Sequence, residues 1–203
     1  MKLVHPMVMQ LIGPSSCGKT YFVKRLIDEN MIHPIANRIV YCFRDHQPLF
    51  NSMLNVEFHE GIPEDIYDSF DRNMYNLLVI DDLLDEKYCE SLVLKIATVG
   101  SHHRSLSCII LGHNIFPKSA KLRTVSLNTS YYILFKNVRD KIQITKLAQQ
   151  MRLTKLLPHA FSQATSEQWG YLLIDLKGQT NDKLRLRSKI FPTDNYSIVY
   201  TLK

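Results

Sequence analysis

Gly13-Pro14-Ser15-Ser16-Cys17-Gly18-Lys19-Thr20 satisfies G-x-x-x-x-G-K-[ST] at each fixed position. In such a stretch a glycine-bent backbone turns successive N–H groups toward phosphate oxygens. Lys19 then reaches the β- and γ-phosphates, and the Thr20 hydroxyl holds Mg²⁺. The flanks supply the order this chemistry needs. Pro6 to Ile12 is a short, mostly apolar run that reads as a buried strand. Phe22, Val23, Leu26 and Ile27 recur at helical spacing, with Lys24, Arg25, Asp28 and Glu29 facing elsewhere. A helix beginning at the loop adds partial positive charge where the phosphates would lie. Gly13, Pro14, Ser15, Ser16, Cys17, Gly18, Lys19 and Thr20 are therefore the candidate nucleotide-binding residues, with a nucleoside triphosphate and Mg²⁺ as the expected ligands.

Leu77-Leu78-Val79-Ile80-Asp81-Asp82 is an apolar run ending in paired acids, the pattern by which a buried parallel strand delivers carboxylates to the carboxyl edge of its sheet. Read as a Walker B segment, Asp81 holds Mg²⁺ with Thr20. Asp82 then orients or deprotonates the attacking water. Glu86 is the reserve base, though its place suits a helix cap. Between the two motifs the pattern gives a strand over Arg38 to Phe43, a short strand over Val56 to Phe58 and a helix over Ile62 to Phe70. An additional strand thus separates the two Walker strands in sequence. The fold expected is α/β: a P-loop NTPase of the RecA-like, additional-strand (ASCE) type, a three-layer sandwich around a mostly parallel sheet.

After Walker B, Tyr88, Leu92, Val93, Ile96 and Ala97 form a helical core stripe. Ser101-His102-His103-Arg104 is a polar turn before an apolar strand, Leu106 to Leu111, that ends in Gly112-His113-Asn114. A polar side chain at that tip can sense the γ-phosphate; Asn114 and His113 are the candidates. Adjacent His102 and His103 point in different directions on most backbones and have no third ligand near, so they do not read as a metal site. Arg104 is a candidate to stabilise transition-state charge from a neighbouring subunit, against a surface ion pair as the plain alternative; Arg123 and Arg139 compete for the role. Tyr131 to Phe135 gives another strand. Asp140, Ile144, Leu147, Ala148 and Met151 trace a helix, and Tyr171 to Asp175 with Ile190 to Phe191 form a β-rich tail.

The 203 residues are 45% hydrophobic and 22% charged, suited to one globular domain over 1–203 with a basic, β-containing C-terminal part from about residue 160. No apolar run approaches the roughly 20 residues of a bilayer span, and the start of the chain lacks a signal-peptide pattern. A soluble, intracellular protein without a membrane partner is expected. The formal charge of +6 suits a polyanion, with the densest basic segments at Lys118–Arg123, Lys136–Lys141 and Lys183–Lys189. Cys17, Cys42, Cys89 and Cys108 form no C-x-x-C pair and read as reduced thiols. Cys17, inside the loop, is open to a lowered pKa from Lys19 and the helix dipole, and so to oxidation.

With the phosphate loop, Val79-Ile80-Asp81-Asp82, Ser101-His102-His103-Arg104-Ser105-Leu106-Ser107, Leu127-Asn128 and Phe135-Lys136-Asn137-Val138-Arg139-Asp140 together, the chain resembles the FtsK/HerA-type genome-packaging ATPases of Polinton/Maverick elements, adintoviruses and virophages, and more distantly of poxviruses. The likeness runs through Tyr171-Leu172-Leu173-Ile174-Asp175-Leu176. It implies ATP hydrolysis, a ring of subunits (a hexamer or pentamer), translocation of double-stranded DNA into a capsid, and capsid proteins as partners in a host nucleus, viral factory or virion. Carried over by motif, Lys19, Asp82, Asn114 and Arg104 are the catalytic set and Thr20 and Asp81 the metal set. The family often has Gln where this chain has His113, and many relatives use Glu where it has Asp82. The residues leave two other functions open: a nucleoside or small-molecule kinase, for which no Arg-rich lid is visible, and a nonhydrolysing nucleotide-gated scaffold.

Overall fold

The computed structural model describes residues 2–86, 88–100 and 105–201. In chain order the main elements are β1 (Leu3–Val4), β2 (Val8–Ile12), α1 (Lys19–Asp28), β3 (Ile32–His33), β4 (Arg38–Phe43), β5 (Glu57–Glu60), β6 (Asn76–Asp81), α2 (Cys89–Lys95), β7 (Leu106–Gly112), α3 (Ala120–Leu127), β8 (Tyr131–Phe135), α4 (Ile142–Gln150), α5 (Leu156–Ala164), β9 (Tyr171–Asp175), β10 (Leu186–Ser188) and β11 (Ile198–Tyr200).

Among the described residues, nine strands form one sheet in the order β11-β10-β9-β8-β2-β7-β6-β4-β5. From β8 to β5 every pairing is parallel, and β9, β10 and β11 add an antiparallel edge. The strand carrying the phosphate loop, β2, is separated in space from the acid-bearing β6 by β7, whose Ile109 pairs with Met9 on one side and Val79 on the other. The separating strand is therefore one that follows Walker B in the chain. The strands that precede it, β4 and β5, lie on the far side of β6. Parallel strands need crossovers, and the consequence is that β2, β6, β7 and β8 all end on one edge, where Gly13, Asp82, His113 and Lys136 follow them.

Alternation along the strands fills two faces. Met9, Leu11, Leu77, Val79, Ile133 and Phe135 pack with Phe22, Val23 and Leu26 of α1 on one face. On the other, Leu78, Ile80, Cys108 and Ile110 meet Leu92 and Val93 of α2 and Leu122 and Val125 of α3. Toward β8 and β9 that second face is covered by α4 and α5, through Leu147, Ala148, Leu157 and Ala160. The result is the three-layer sandwich that the sequence predicts.

Two local expectations are corrected. Residues 62–70 form successive turns, with Asp68 N and Ser69 N both donating to Asp65 O at 2.9 and 3.0 Å, and no continuous helix. Asp and Ser side chains compete for local backbone bonds, and Pro63 supplies no N–H. Ile66, Tyr67 and Phe70 are nonetheless buried. Ile190–Phe191 is not a strand either: Lys189 takes φ 52°, which breaks the extended run. Phe191 instead packs on Phe22, ring centroids 5.0 Å apart, beneath the Arg25 guanidinium at 3.9 Å.

Candidate nucleotide site

The loop between β2 and α1 has the conformation that its sequence requires. Ser16 (φ 60°) and Gly18 (φ 102°) are left-handed on either side of Cys17, a local alternation that turns backbone N–H groups toward one side. At Gly13 a side chain has no room, since an added Cβ would stand 2.6 Å from Cys17 Sγ and 2.8 Å from Phe135 Cβ. Lys19 opens α1, and its ammonium donates to the carbonyls of Gly13 and Pro14 at 2.8 and 2.9 Å, which holds it over the start of the loop.

Opposite the loop stands Asp81, the last residue of β6. It is only 7% exposed. Its Oδ2 accepts from Tyr41 OH at 2.8 Å and from Thr20 Oγ1 at 3.5 Å. Burial pushes its carboxyl pKa up, aided by the charge of Asp82; the Tyr41 bond, Lys19 and Thr20 pull it back down. Tyr41 is itself raised far above the ordinary phenol range by burial and by Asp81, so it remains a hydrogen-bond donor. A buried carboxylate and a threonine hydroxyl within reach of each other, beside a lysine, are the oxygen ligands a small hard cation takes alongside phosphate. The residues present therefore fit Mg²⁺ bound with a nucleoside triphosphate.

Asp82 follows with φ 58°, so the chain leaves the sheet at once and the carboxylate is largely in solvent, 62% exposed. His113, one residue past β7, stands beside it. Its Nδ1 faces Gly13 O at 3.1 Å. Nε2 lies 3.4 Å from Asp82 Oδ1. Asp82 and His113 both line the cavity of about 690 Å³ that also contains Ser16, Lys19, Thr20 and Asp81. Asn114 does not line it. Its Oδ1 accepts from Gln143 Nε2 at 3.2 Å, on the α4 side. Of the two candidates at the tip of β7, the structure brings His113 to the phosphate loop. Arg104, with His102 and His103, lies outside the described residues.

Cys17 departs from the expectation of a lowered pKa: the thiol is half-buried and desolvation raises it, outweighing the opposing pull of Lys19. Cys42 and Cys89 are buried and pushed up to about 12, and Cys108 well above its ordinary value.

Three residues at the site escaped sequence reading. Tyr41 falls in an apolar run, where a tyrosine reads as core. Arg44 donates from Nε to the carbonyl of Asp82 at 2.8 Å and pairs with Asp85. Trp169, far along the chain, lines the same cavity. Tyr41 belongs to β4 and Arg44 follows it directly, and the parallel pairing of β4 with β6, Phe43 opposite Asp81, was the one signal that could have found them.

Neither a protein-family profile nor a curated protein matches the chain. Solved structures do. The chain is similar to the genome packaging NTPase B204 of Sulfolobus turreted icosahedral virus 2 in complex with ATP-gammaS, at 12% identity over 97% of each chain with a TM-score of 0.55. The same protein with sulfate aligns at 15% identity over 86% of this chain and 94% of that one, TM-score 0.55. The cytoplasmic domain of the Type VII secretion ATPase EccC from Thermomonospora curvata aligns at 13% identity over 88% of this chain, TM-score 0.55, and this chain spans 26% of it. At such identities the likeness is one of fold. The chain has the P-loop NTPase fold.

The arrangement has two functional ends. Lys19, Thr20 and Asp81 form one whose charges and oxygens can take an anion and a cation, and Asp82 with His113 forms one that can hold a water. Among the described residues no helix is long and apolar enough to cross a membrane.

Proposed function

We propose that this protein is an ATP-hydrolysing motor that moves double-stranded DNA into a viral capsid, working as a ring of its own copies. The observation that carries the hydrolase reading is the convergence of Thr20 on Asp81, 3.5 Å apart, beneath the glycine-bent loop, with Asp82 at the open side of the same cavity. Lys19 and the loop N–H groups bind the triphosphate; Thr20 and Asp81 are the residues that would hold Mg²⁺, which when bound would neutralise phosphate charge. Tyr41 fixes the orientation of Asp81. Asp82 takes up a proton from the attacking water or orients it, and His113, steadied by Gly13 O, positions its Nε2 beside that water. Catalysis of this kind is mostly placement and electrostatics, for which rigid strand ends are suited.

The DNA and ring readings are supported by the sequence resemblance and by the likeness in fold to a viral genome packaging NTPase. The distribution of charge adds a locus. In 183–189 three of the four cations are engaged: Arg185 with Asp182 and the carbonyls of Asp175 and Lys177, Arg187 with Leu184 O, Lys189 with Glu167. By contrast Lys136, Arg139 and Lys141 are exposed, in the loop leaving the carboxyl end of β8, next to exposed Val138 and Ile142. That loop is assigned to the DNA backbone, which requires no sequence readout and makes binding salt-dependent. Arg104 remains the proposed arginine acting in trans, and capsid proteins the proposed partners.

Phosphate release with and without double-stranded DNA tests the function. Stimulation by DNA is the expected result. Transfer of phosphate to a nucleoside would establish a kinase instead, and binding without turnover a scaffold. Mixing tests the ring: Arg104→Ala subunits should poison wild-type assemblies out of proportion to their number, and strictly proportional activity counts against action in trans.

A further inference from the structure

Trp169 is the single tryptophan of the chain, yet it is 61% exposed. An indole has among the most to gain from burial, so its exposure calls for a partner. It lies in the turn between α5 and β9, closed by Gly170 N donating to Glu167 O at 3.1 Å, and takes φ 58°, a conformation rare for a bulky residue and often found at functional positions. The turn is firmly based. Two residues on, Tyr171 is packed edge-on against Phe22 of α1 with centroids 4.8 Å apart.

The indole lies against the phosphate loop: a Cβ added to Gly18 would be 3.4 Å from Trp169 Cδ1 and 3.5 Å from its Cβ. Tyr21, in the first turn of α1 and 53% exposed, accompanies it. Both side chains line the main cavity of about 690 Å³ and an adjoining one of about 290 Å³, whereas Asp81 and Asp82 line the first but not the second. The main cavity thus has an acidic end and an aromatic end, with Lys19 and Thr20 on the loop between them. A nucleotide laid along it with its γ-phosphate toward the acids directs its sugar and base past Gly18 and Tyr21.

We propose that Trp169, with Tyr21 beside it, is the stacking platform for the nucleobase of the bound triphosphate. This rests on the reading of the loop as a triphosphate site. It assigns base binding to a π-face on a turn far from the loop in sequence. Every nucleobase has such a face, so this contact contributes affinity and orientation and selects little among bases.

The single indole serves as its own reporter in the full chain. Magnesium ATP and magnesium tripolyphosphate are titrated separately, following Trp169 fluorescence and heat of binding. ATP is expected to change the emission strongly and tripolyphosphate, which lacks a base, to bind with little change. Trp169→Ala should lose about tenfold or more in ATP affinity, as expected for removing one base–aromatic stack, while tripolyphosphate affinity stays the same. Trp169→Phe should recover most of the loss. If both ligands bind the wild type but ATP leaves the emission unmoved, or Trp169→Ala weakens both equally, the platform is wrong and the phosphate site stands. If tripolyphosphate does not bind the wild type, the phosphate-site reading fails, and the platform with it.

Discussion

His113 Nε2 lies 3.4 Å from Asp82 Oδ1, while the opposite nitrogen of the same ring faces Gly13 O at 3.1 Å. One imidazole therefore links the start of the phosphate loop, at the end of β2, to the second acid after β6, and it does so from β7, the strand lying between them. Loss of this link is expected to uncouple binding from hydrolysis. His113→Ala should lower turnover by roughly 10²-fold, comparable to removing one transition-state hydrogen-bond donor, with nucleotide affinity largely kept. Asn114→Ala, which removes only a partner of Gln143, should cost less. Steady-state phosphate release decides between them, and a larger loss in the Asn114 variant would reverse the assignment.

Lys19 and Asp82 should separate in kind. Lys19→Ala takes away the only side-chain cation on the loop and should abolish nucleotide binding, measurable by calorimetry. Asp82→Asn keeps the shape and loses the base, so binding should persist while turnover falls by roughly 10² to 10⁴. Unaltered turnover would remove Asp82 from its role.

Acidity should act through Asp81. Its pKa is raised in the folded protein, first by burial, and the ionised form is the one that holds a cation. Magnesium affinity is therefore expected to weaken, as pH falls, from a higher pH than an exposed carboxylate would dictate. Because the Tyr41 bond lowers that pKa, Tyr41→Phe should move the acid limb to still higher pH. A limb that stays in place would show that another group governs it.

Stability of the nucleotide-free chain should run the other way. A raised carboxyl pKa means the folded state favours the protonated form, so the contribution is present at low pH and lost as pH rises through the folded value. Asp81→Asn should accordingly melt a few degrees higher than wild type near neutral pH, a common exchange of stability for function. The gap should close below the ordinary carboxyl value of 3.8. Thermal melts at several pH values test this, and an equal or lower melting temperature for the variant at neutral pH would contradict it.

Cys17 should react slowly. With its thiol raised by desolvation, alkylation near neutral pH should be slower than for a free cysteine, and ATP should slow it further by covering the loop. Mass spectrometry of iodoacetamide-treated protein checks both effects. Rapid modification would show that Lys19 outweighs burial.

The sequence alone determined what is written in contiguous residues. A glycine loop followed by Lys19 and Thr20, apolar runs ending in Asp81 and Asp82, and helical stripes such as Phe22, Val23 and Leu26 each depend on neighbours a few positions away, so their local geometry was legible. Where a side chain competes for the local backbone, as Ser69 Oγ does in donating to Ile66 O, even that reading failed and a helix became turns. Only the tertiary structure decided which strand lies between β2 and β6, that Tyr41 supports Asp81, that His113 and not its neighbour Asn114 faces the loop, and that Trp169 comes to rest on Gly18. These are contacts between residues up to roughly 150 positions apart. They are set by sheet order and by consecutive side chains leaving a strand end in different directions, which no local pattern encodes.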